Sequence, residues 1–201
     1  MRQFLTASLV LLLAGCYPQG PDYAEDTDVV YTTYDERYDF KSRETYSMPD
    51  KIVTDIKIDD GDTTYEFMAD KFAAPIFDKI EENMTALGYD RVDLDASPDL
   101  YLTPAAIKST NYFYSYWYDW WYPYWDWGWY YPPYYSVSSY TTGSLIMTLS
   151  DPSQAEDSPI NRSQTVWVSA ANGLASYSYD ISRVTKSIDQ SFRQSPYLTT
   201  K

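Results

Sequence analysis

The stretch Asp55-Ile56-Lys57-Ile58-Asp59-Asp60-Gly61-Asp62 gathers aspartates around a glycine, the oxygen-rich composition with which loops hold calcium. Its spacing argues against that chemistry. An EF-hand loop needs an oxygen donor at its third position, where this chain has Lys57, and a glycine at its sixth, whereas Gly61 falls one place late. A solvated turn is the simpler reading, and Asp90-Arg91-Val92-Asp93-Leu94-Asp95 reads likewise as an acidic strand edge or loop. Two carboxylates across a cleft suffice to hydrolyse a glycosidic bond. With 29 acidic residues in the chain, some pair is always available, so pairing alone selects nothing.

Histidine is absent, which removes the usual general base near neutral pH, the Ser-His and Cys-His nucleophile pairs and the commonest transition-metal ligand. The chain therefore reads as no enzyme, with no catalytic residues, metal or cofactor. A carboxylate-dependent hydrolase stays open as the third reading of function. The net charge of -14 repels phosphate backbones, so nucleic acid is not an expected partner.

Cys16 is the only cysteine, so an exported form has no internal disulfide to make. Before it, Met1-Arg2-Gln3 supplies a positive start and residues 4–14 a mostly apolar run too short to span a bilayer as a helix. Residues 1–15 read as a signal peptide. Leu13-Ala14-Gly15-Cys16 resembles the lipobox of bacterial lipoproteins. That resemblance implies that Cys16 is acylated, palmitate being one of the chains, and becomes the first residue of the mature protein. Each buried methylene contributes roughly 0.8 kcal/mol, so two or three chains anchor stably to a membrane. By resemblance to the sorting rule of enteric bacteria, Tyr17 after the cysteine favours the outer membrane of the cell envelope, with the periplasmic or surface face left open. Residues 16–26, acidic and carrying Pro18, Gly20 and Pro21, suit a solvated tether.

An insertion at about residues 111–136 is the most unusual part of the chain: 17 of the 24 residues from Tyr112 to Tyr135 are aromatic. It holds Trp117, Trp120, Trp121, Trp125, Trp127 and Trp129, with Asp119 and Asp126 as its only charges. Aromatic side chains bury about 150 to 250 Å² each, so these rings represent roughly 3,000 Å². The largest apolar patch on a monomer is usually about 300 to 600 Å². They cannot all lie open to water. Three readings compete: a self-packed hairpin, a surface for another envelope protein or for a second copy, and a platform for glycans or a membrane interface. In the last, rings stack on sugar faces while Asp119 and Asp126 accept hydrogen bonds from hydroxyls. A single-stranded nucleic acid would need interleaved basic residues, and none occurs from Ser109 to Asn161.

The elements that must carry these groups follow from periodicity. Alternation predicts strands at residues 27–34, 45–48, 51–58, 99–103, 144–149 and 165–170, with turn chemistry at residues 59–62. Residues 151–164 read as a polar loop. Ile76, Phe77, Ile80, Met84 and Leu87 form one apolar stripe, predicting a helix over 75–87 closed by Gly88. Residues 67–72 are also helix-compatible, and Pro75 is favoured as a first-turn proline over a kink. Ile181, Val184, Ile188 and Phe192 predict a second helix over 180–193, with Asp180 as N-cap and Pro196 beyond its end. The sum is one α+β domain over 27–197, a mostly antiparallel sheet with both amphipathic helices on one face and a long Tyr/Trp-rich insertion.

Several short motifs in order carry a family resemblance: the lipobox, Tyr38-Asp39-Phe40, Leu87-Gly88-Tyr89, PDLYL at 98–102, the aromatic insertion, GSLIMTLSD at 143–151, VWVSAANG at 166–173 and Ser195-Pro196-Tyr197. Together they resemble the bacterial lipoproteins grouped as domain of unknown function 4136. The resemblance implies the fold and the envelope location; the family brings no activity with it. The leading expectation is a non-catalytic envelope lipoprotein with a structural or protein-interaction role, the alternative a glycan-binding module using stacked Trp and Tyr.

Overall fold

The computed structural model describes residues 29–59, 62–107, 143–155, 164–172, 174 and 180–201. Its strands are β1 (Val29–Tyr34), β2 (Thr45–Ser47), β3 (Val53–Asp59), β4 (Asp62–Phe67), β5 (Asp90–Arg91), β6 (Leu100–Ile107), β7 (Ser144–Asp151) and β8 (Gln164–Asn172), and its helices α1 (Asp70–Leu87) and α2 (Ile181–Arg193). They form one eight-stranded sheet in the order β1-β8-β7-β6-β2-β5, with the β3–β4 hairpin attached to β6. β1, β8, β7 and β6 run antiparallel to one another in that order, whereas β2 pairs parallel with β5 and β6, and β3 parallel with β6.

Both helices pack on one face, as expected. Directly paired strand residues share a face, so the registers place Leu102 with Leu149 and Trp167, and Met147 with Ser169, beneath the helices. α1 contributes Ala73, Ile76, Ile80 and Met84 to this core and α2 contributes Val184, Ile188 and Phe192. Between the apolar residues of α2 lies a small-residue row. Ser169 donates to Ser191 Oγ at 2.7 Å and Ser191 to the Ser187 carbonyl at 2.8 Å, which satisfies the hydroxyls where helix and sheet meet. Asp180 caps α2 by accepting from Ser182 N at 2.9 Å.

Four local expectations need correction. α1 begins at Asp70, so Pro75 lies inside it and not in its first turn. Ala69 starts the helix with its carbonyl, which accepts from Phe72 N at 2.8 Å and Ala73 N at 3.1 Å. Pro75 removes only the bond that would reach the Lys71 carbonyl, a loss the packing of Ala73 and Ile76 outweighs. Residues 67–72 are split between elements: Phe67 ends β4, an unexpected strand that returns from the turn after β3. β6 does not stop at Pro104 but continues to Ile107. Its partners β2 and β3 meet it at Leu100, Tyr101 and Ala105, so Pro104 falls in the gap between them, where no N–H is required. β7 reaches Asp151, two residues beyond expectation. The acidic stretch at 90–95 does supply a strand edge, β5 beside β2.

The end of the chain closes the end of α1. Gly88 sits at φ 105°, and Thr199 Oγ1 and Thr200 Oγ1 each donate to the Leu87 carbonyl at 3.3 Å. A Cβ on Gly88 would collide with Thr200 Oγ1 and would hold a left-handed backbone unfavourable to any L side chain. Gly88→Ala is expected to cost about 1 to 2 kcal/mol, measured by urea unfolding. A variant as stable as the parent would show that the tail moves aside without loss.

Candidate functional site

The densest polar constellation among the described residues lies where β1 and β7 end. Past Tyr34 the chain turns on Asp35, whose carboxylate accepts from Arg37 N at 3.0 Å and Gln164 Nε2 at 2.9 Å. The Arg37 side chain, the Arg37 N–H and the Gln164 bond together outweigh the opposing effect of burial and hold the Asp35 carboxyl below its usual range. Asp39 then caps a short 3-10 turn, Phe40–Ser42, accepting from Lys41 N at 3.1 Å. These turns set Tyr38 and Arg43 against Asp151 at the end of β7.

Asp151 is fully buried, and its two oxygens are used twice each. Oδ2 accepts from Tyr38 OH at 2.6 Å and Arg43 Nη2 at 2.8 Å; Oδ1 accepts from Ser153 N at 2.8 Å and Ser153 Oγ at 2.7 Å. Arg43 Nε also donates to Tyr38 OH at 2.9 Å, so the phenol both gives and receives. Burial, followed by the bond to Asp151 and its charge, drives the Tyr38 phenol far above its ordinary range. Burial works against the Arg43 charge, but the Tyr38 bond and the negative charges of Asp151 and Asp99 raise it further. The phenol therefore keeps its proton and the guanidinium its charge; neither serves as a base near neutral pH.

Aromatic rings line the helix side of this corner. Tyr34 and Tyr197 stack with centroids 3.5 Å apart and planes at 16°, and Phe40 meets the edge of Tyr38 at 4.8 Å. Trp167 lies fully buried nearby, stacked on Phe192 at 5.6 Å and donating from Nε1 to Ser195 Oγ at 2.9 Å. A second clamp joins β2 to β6. Asp99 Oδ2 accepts from Glu44 N, Thr45 N and Thr45 Oγ1, each at 2.9 Å.

Burial raises the Asp99 carboxyl, but the three bonds from Glu44 and Thr45 and the Arg43 charge lower it more, leaving it below the ordinary value of 3.8. A depressed folded value means the clamp contributes fully above pH 3.8 and is lost as the pH falls through the folded value. Asp99→Asn is expected to cost about 1 to 2 kcal/mol at neutral pH. The gap between parent and variant should narrow in thermal melts taken below pH 3.8. A gap constant with pH would show that the charge contributes nothing.

The site residues singled out in the sequence lie elsewhere. Cys16, Trp117, Asp119, Trp120, Trp121, Trp125, Asp126, Trp127 and Trp129 all fall outside the described residues, as do residues 1–15 and 16–26, where a signal peptide and a tether are expected. Among the described residues no group of three or more His, Cys, Asp or Glu is placed to hold a metal ion. No helix among them is long and apolar enough to cross a membrane. Tyr38, Arg43, Asp151 and Ser153 were not singled out, though a signal existed. Tyr38-Asp39-Phe40, Asp99, Asp151, Trp167 and Ser195-Pro196-Tyr197 belong to the dispersed motifs that carry the family resemblance; Tyr38, Phe40, Asp151, Trp167, Ser195 and Tyr197 take part in this corner's bonds or stacking, and Asp99 forms the second clamp.

A mostly antiparallel sheet with two helices on one face, locked at one corner by a part-buried Tyr-Arg-Asp network, defines an α+β class of domain. Within that class the chain belongs to the DUF4136 family, a domain of unknown function whose family model matches residues 30–197. The crystal structure of a DUF4136 family protein (BT2437) from Bacteroides thetaiotaomicron VPI-5482 is similar at 34% identity and a TM-score of 0.70, over 88% of this chain and 100% of that one. A PelC dodecamer from Paraburkholderia phytofirmans is similar at 13% identity and a TM-score of 0.42, over 87% and 100% of the respective chains. A PDZ domain protein from Parabacteroides distasonis ATCC 8503 is similar at 19% identity and a TM-score of 0.44, over 85% of this chain and 36% of that one. No curated protein matches the chain.

Proposed function

We propose that the protein is a non-catalytic lipoprotein of the bacterial cell envelope, held at the outer membrane by acyl groups on Cys16. Its domain serves a structural or protein-interaction role, with the aromatic insertion used for packing or recognition. The observation that carries this reading is the Tyr38-Arg43-Asp151-Ser153 network, in which Asp151 spends both oxygens and Tyr38 its hydroxyl on neighbouring protein groups. Such a closed set supports a rigid carrier better than a reacting centre, which keeps a nucleophile, acid or base available to a substrate. The anchor is tested by metabolic labelling with an alkyne palmitate analogue. Label and membrane association in the parent, both lost in Cys16→Ser, support the reading. Label retained by Cys16→Ser, or a parent with an unmodified sulfur, overturns it.

A further inference from the structure

Among the described residues, β1, β4 and β5 each pair with a strand on one side only. A free sheet edge is a template for a further strand, and proteins usually guard such edges with shortness, charge or proline. β5 is two residues long, and both, Asp90 and Arg91, are charged. β4 carries Asp62 and Glu66. β1 has none of these guards. Its six residues, Val29-Val30-Tyr31-Thr32-Thr33-Tyr34, include no charge and no proline, its register with β8 runs without a bulge, and none of the six is buried. Val29, Tyr31 and Tyr34 are 59, 41 and 37% exposed.

One bond fixes which backbone groups of β1 point outward. Asp35 N donates to the Val166 carbonyl at 3.0 Å, so this pair, one step beyond Tyr34 and Trp167 in the register, is a hydrogen-bonded one. Alternation along an antiparallel ladder then turns the N–H and C=O groups of Val29, Tyr31 and Thr33 towards β8 and those of Val30, Thr32 and Tyr34 away from it. We infer that this edge pairs with the same edge of a second copy of the chain, two antiparallel β1 strands joining two sheets about a two-fold axis. The outward groups are satisfied together only by an extended backbone.

Charge and symmetry select a second copy and this edge. Two chains of net charge -14 repel each other, so they meet most readily where neither brings a charge; pairing through β4 would crowd its acids together, whereas β1 brings none. A two-fold axis perpendicular to the sheet keeps both copies' helices on one side, so helix-side residues must meet helix-side residues. On β1 these are Val30, Thr32 and Tyr34, since Val30 pairs with Ala171 and Tyr34 with Trp167 of the helix-side core. With Thr32 on the axis it faces Thr32 of the second copy, Val30 faces Tyr34 of the second copy, and every outward residue finds a partner. Tyr31 then lies beside Thr33 of the second copy on the other face. Thr–Thr and aromatic to β-branched pairs of this kind stabilise neighbouring strands. Such an isologous contact closes at the dimer. A six-residue margin is small beside the roughly 1,200 Å² of a stable interface, so the pair forms at about 10 to 100 µM and dissociates on dilution. The inference stands apart from the lipid anchor: failed palmitate labelling leaves it intact, and a monomeric chain leaves the anchor intact.

The test is the oligomeric state of the full chain carrying Cys16→Ser. Sedimentation equilibrium between about 1 and 200 µM should follow a monomer–dimer exchange. Adding Thr32→Pro removes an outward N–H while leaving the bonds to β8 in place, as edge prolines do, and should weaken the dimer about ten-fold or more with little change in the urea midpoint. Tyr31→Glu, which brings two further acids to the contact, should do the same. Copper-phenanthroline oxidation at about 200 µM should join two copies through Thr32→Cys, which sits on the axis, and not through Val29→Cys, whose two thiols lie about 20 Å apart in this register. A chain that stays monomeric at about 200 µM overturns the inference and leaves the edge to a strand of another protein. A dimer indifferent to both Thr32→Pro and Tyr31→Glu, or one joined through Val29→Cys in preference to Thr32→Cys, overturns it as well. Where Thr32→Pro does not fold, Tyr31→Glu and the cross-linking pair decide.

Discussion

Trp167→Ala lowers the stability of the domain by about 4 kcal/mol, within the range for removing a large buried aromatic. In a domain of this size that corresponds to a fall in Tm of about 8 to 16 °C. Three losses combine. The indole is fully buried on β8, so its removal leaves a cavity beneath α2. Phe192 loses the ring on which it stacks at 5.6 Å. Ser195 Oγ loses the N–H it accepts at 2.9 Å but keeps the Tyr197 hydroxyl at 3.1 Å. Trp167→Phe separates these terms, since it keeps most of the ring and loses the N–H, and should cost about 1 to 2 kcal/mol. Equilibrium unfolding in urea measures both. An alanine variant within about 1 kcal/mol of the parent would mean that the surrounding core collapses around the site.

The second large effect is expected at Asp151. Asp151→Ala leaves the Arg43 guanidinium and the Tyr38 phenol facing each other without the carboxylate that accepts from both. Removing one partner of a buried ion pair commonly costs about 3 to 5 kcal/mol. Arg43 is 23% exposed, so water reaches part of it, and about 3 kcal/mol is the figure to expect. Most of that loss is the stranded charge, not the worth of the pair. The double variant Arg43→Met, Asp151→Leu should therefore recover about half of it or more. A double variant as unstable as the single one would show that shape and hydrogen-bond direction at this corner matter more than uncompensated charge.

Sequence alone disclosed α2 and its cap because the evidence there is local. Val184, Ile188 and Phe192 recur at helical spacing and Asp180 stands one residue before the helix. The same held for the alternating strands around Tyr31, Met147 and Trp167. Legibility failed where partners far along the chain decide. Pro75 looks like a helix start by local rules, yet Ala69 and the β4 strand before it extend the helix upstream. Pro104 looks like a strand end, and only the gap between β2 and β3 shows why it is tolerated. Asp151 looks like the start of a polar loop, because nothing in Ser150-Asp151-Pro152 announces Tyr38 and Arg43 more than a hundred positions earlier. The nine residues expected to carry recognition and anchoring lie outside the described residues, so the corner built by Tyr38, Arg43 and Asp151 owes nothing to them.

The pairing of β1 with β8 sets a timetable for the chain. Val29 meets Asn172 and Tyr34 meets Trp167, so among the described residues the first strand waits for the last before it finds a strand to pair with. Loop-closure entropy makes such distant matches slow, and a nascent polypeptide cannot complete this one until β8 has been made. Until β8 emerges, that edge of the sheet stays open and the domain has not yet locked.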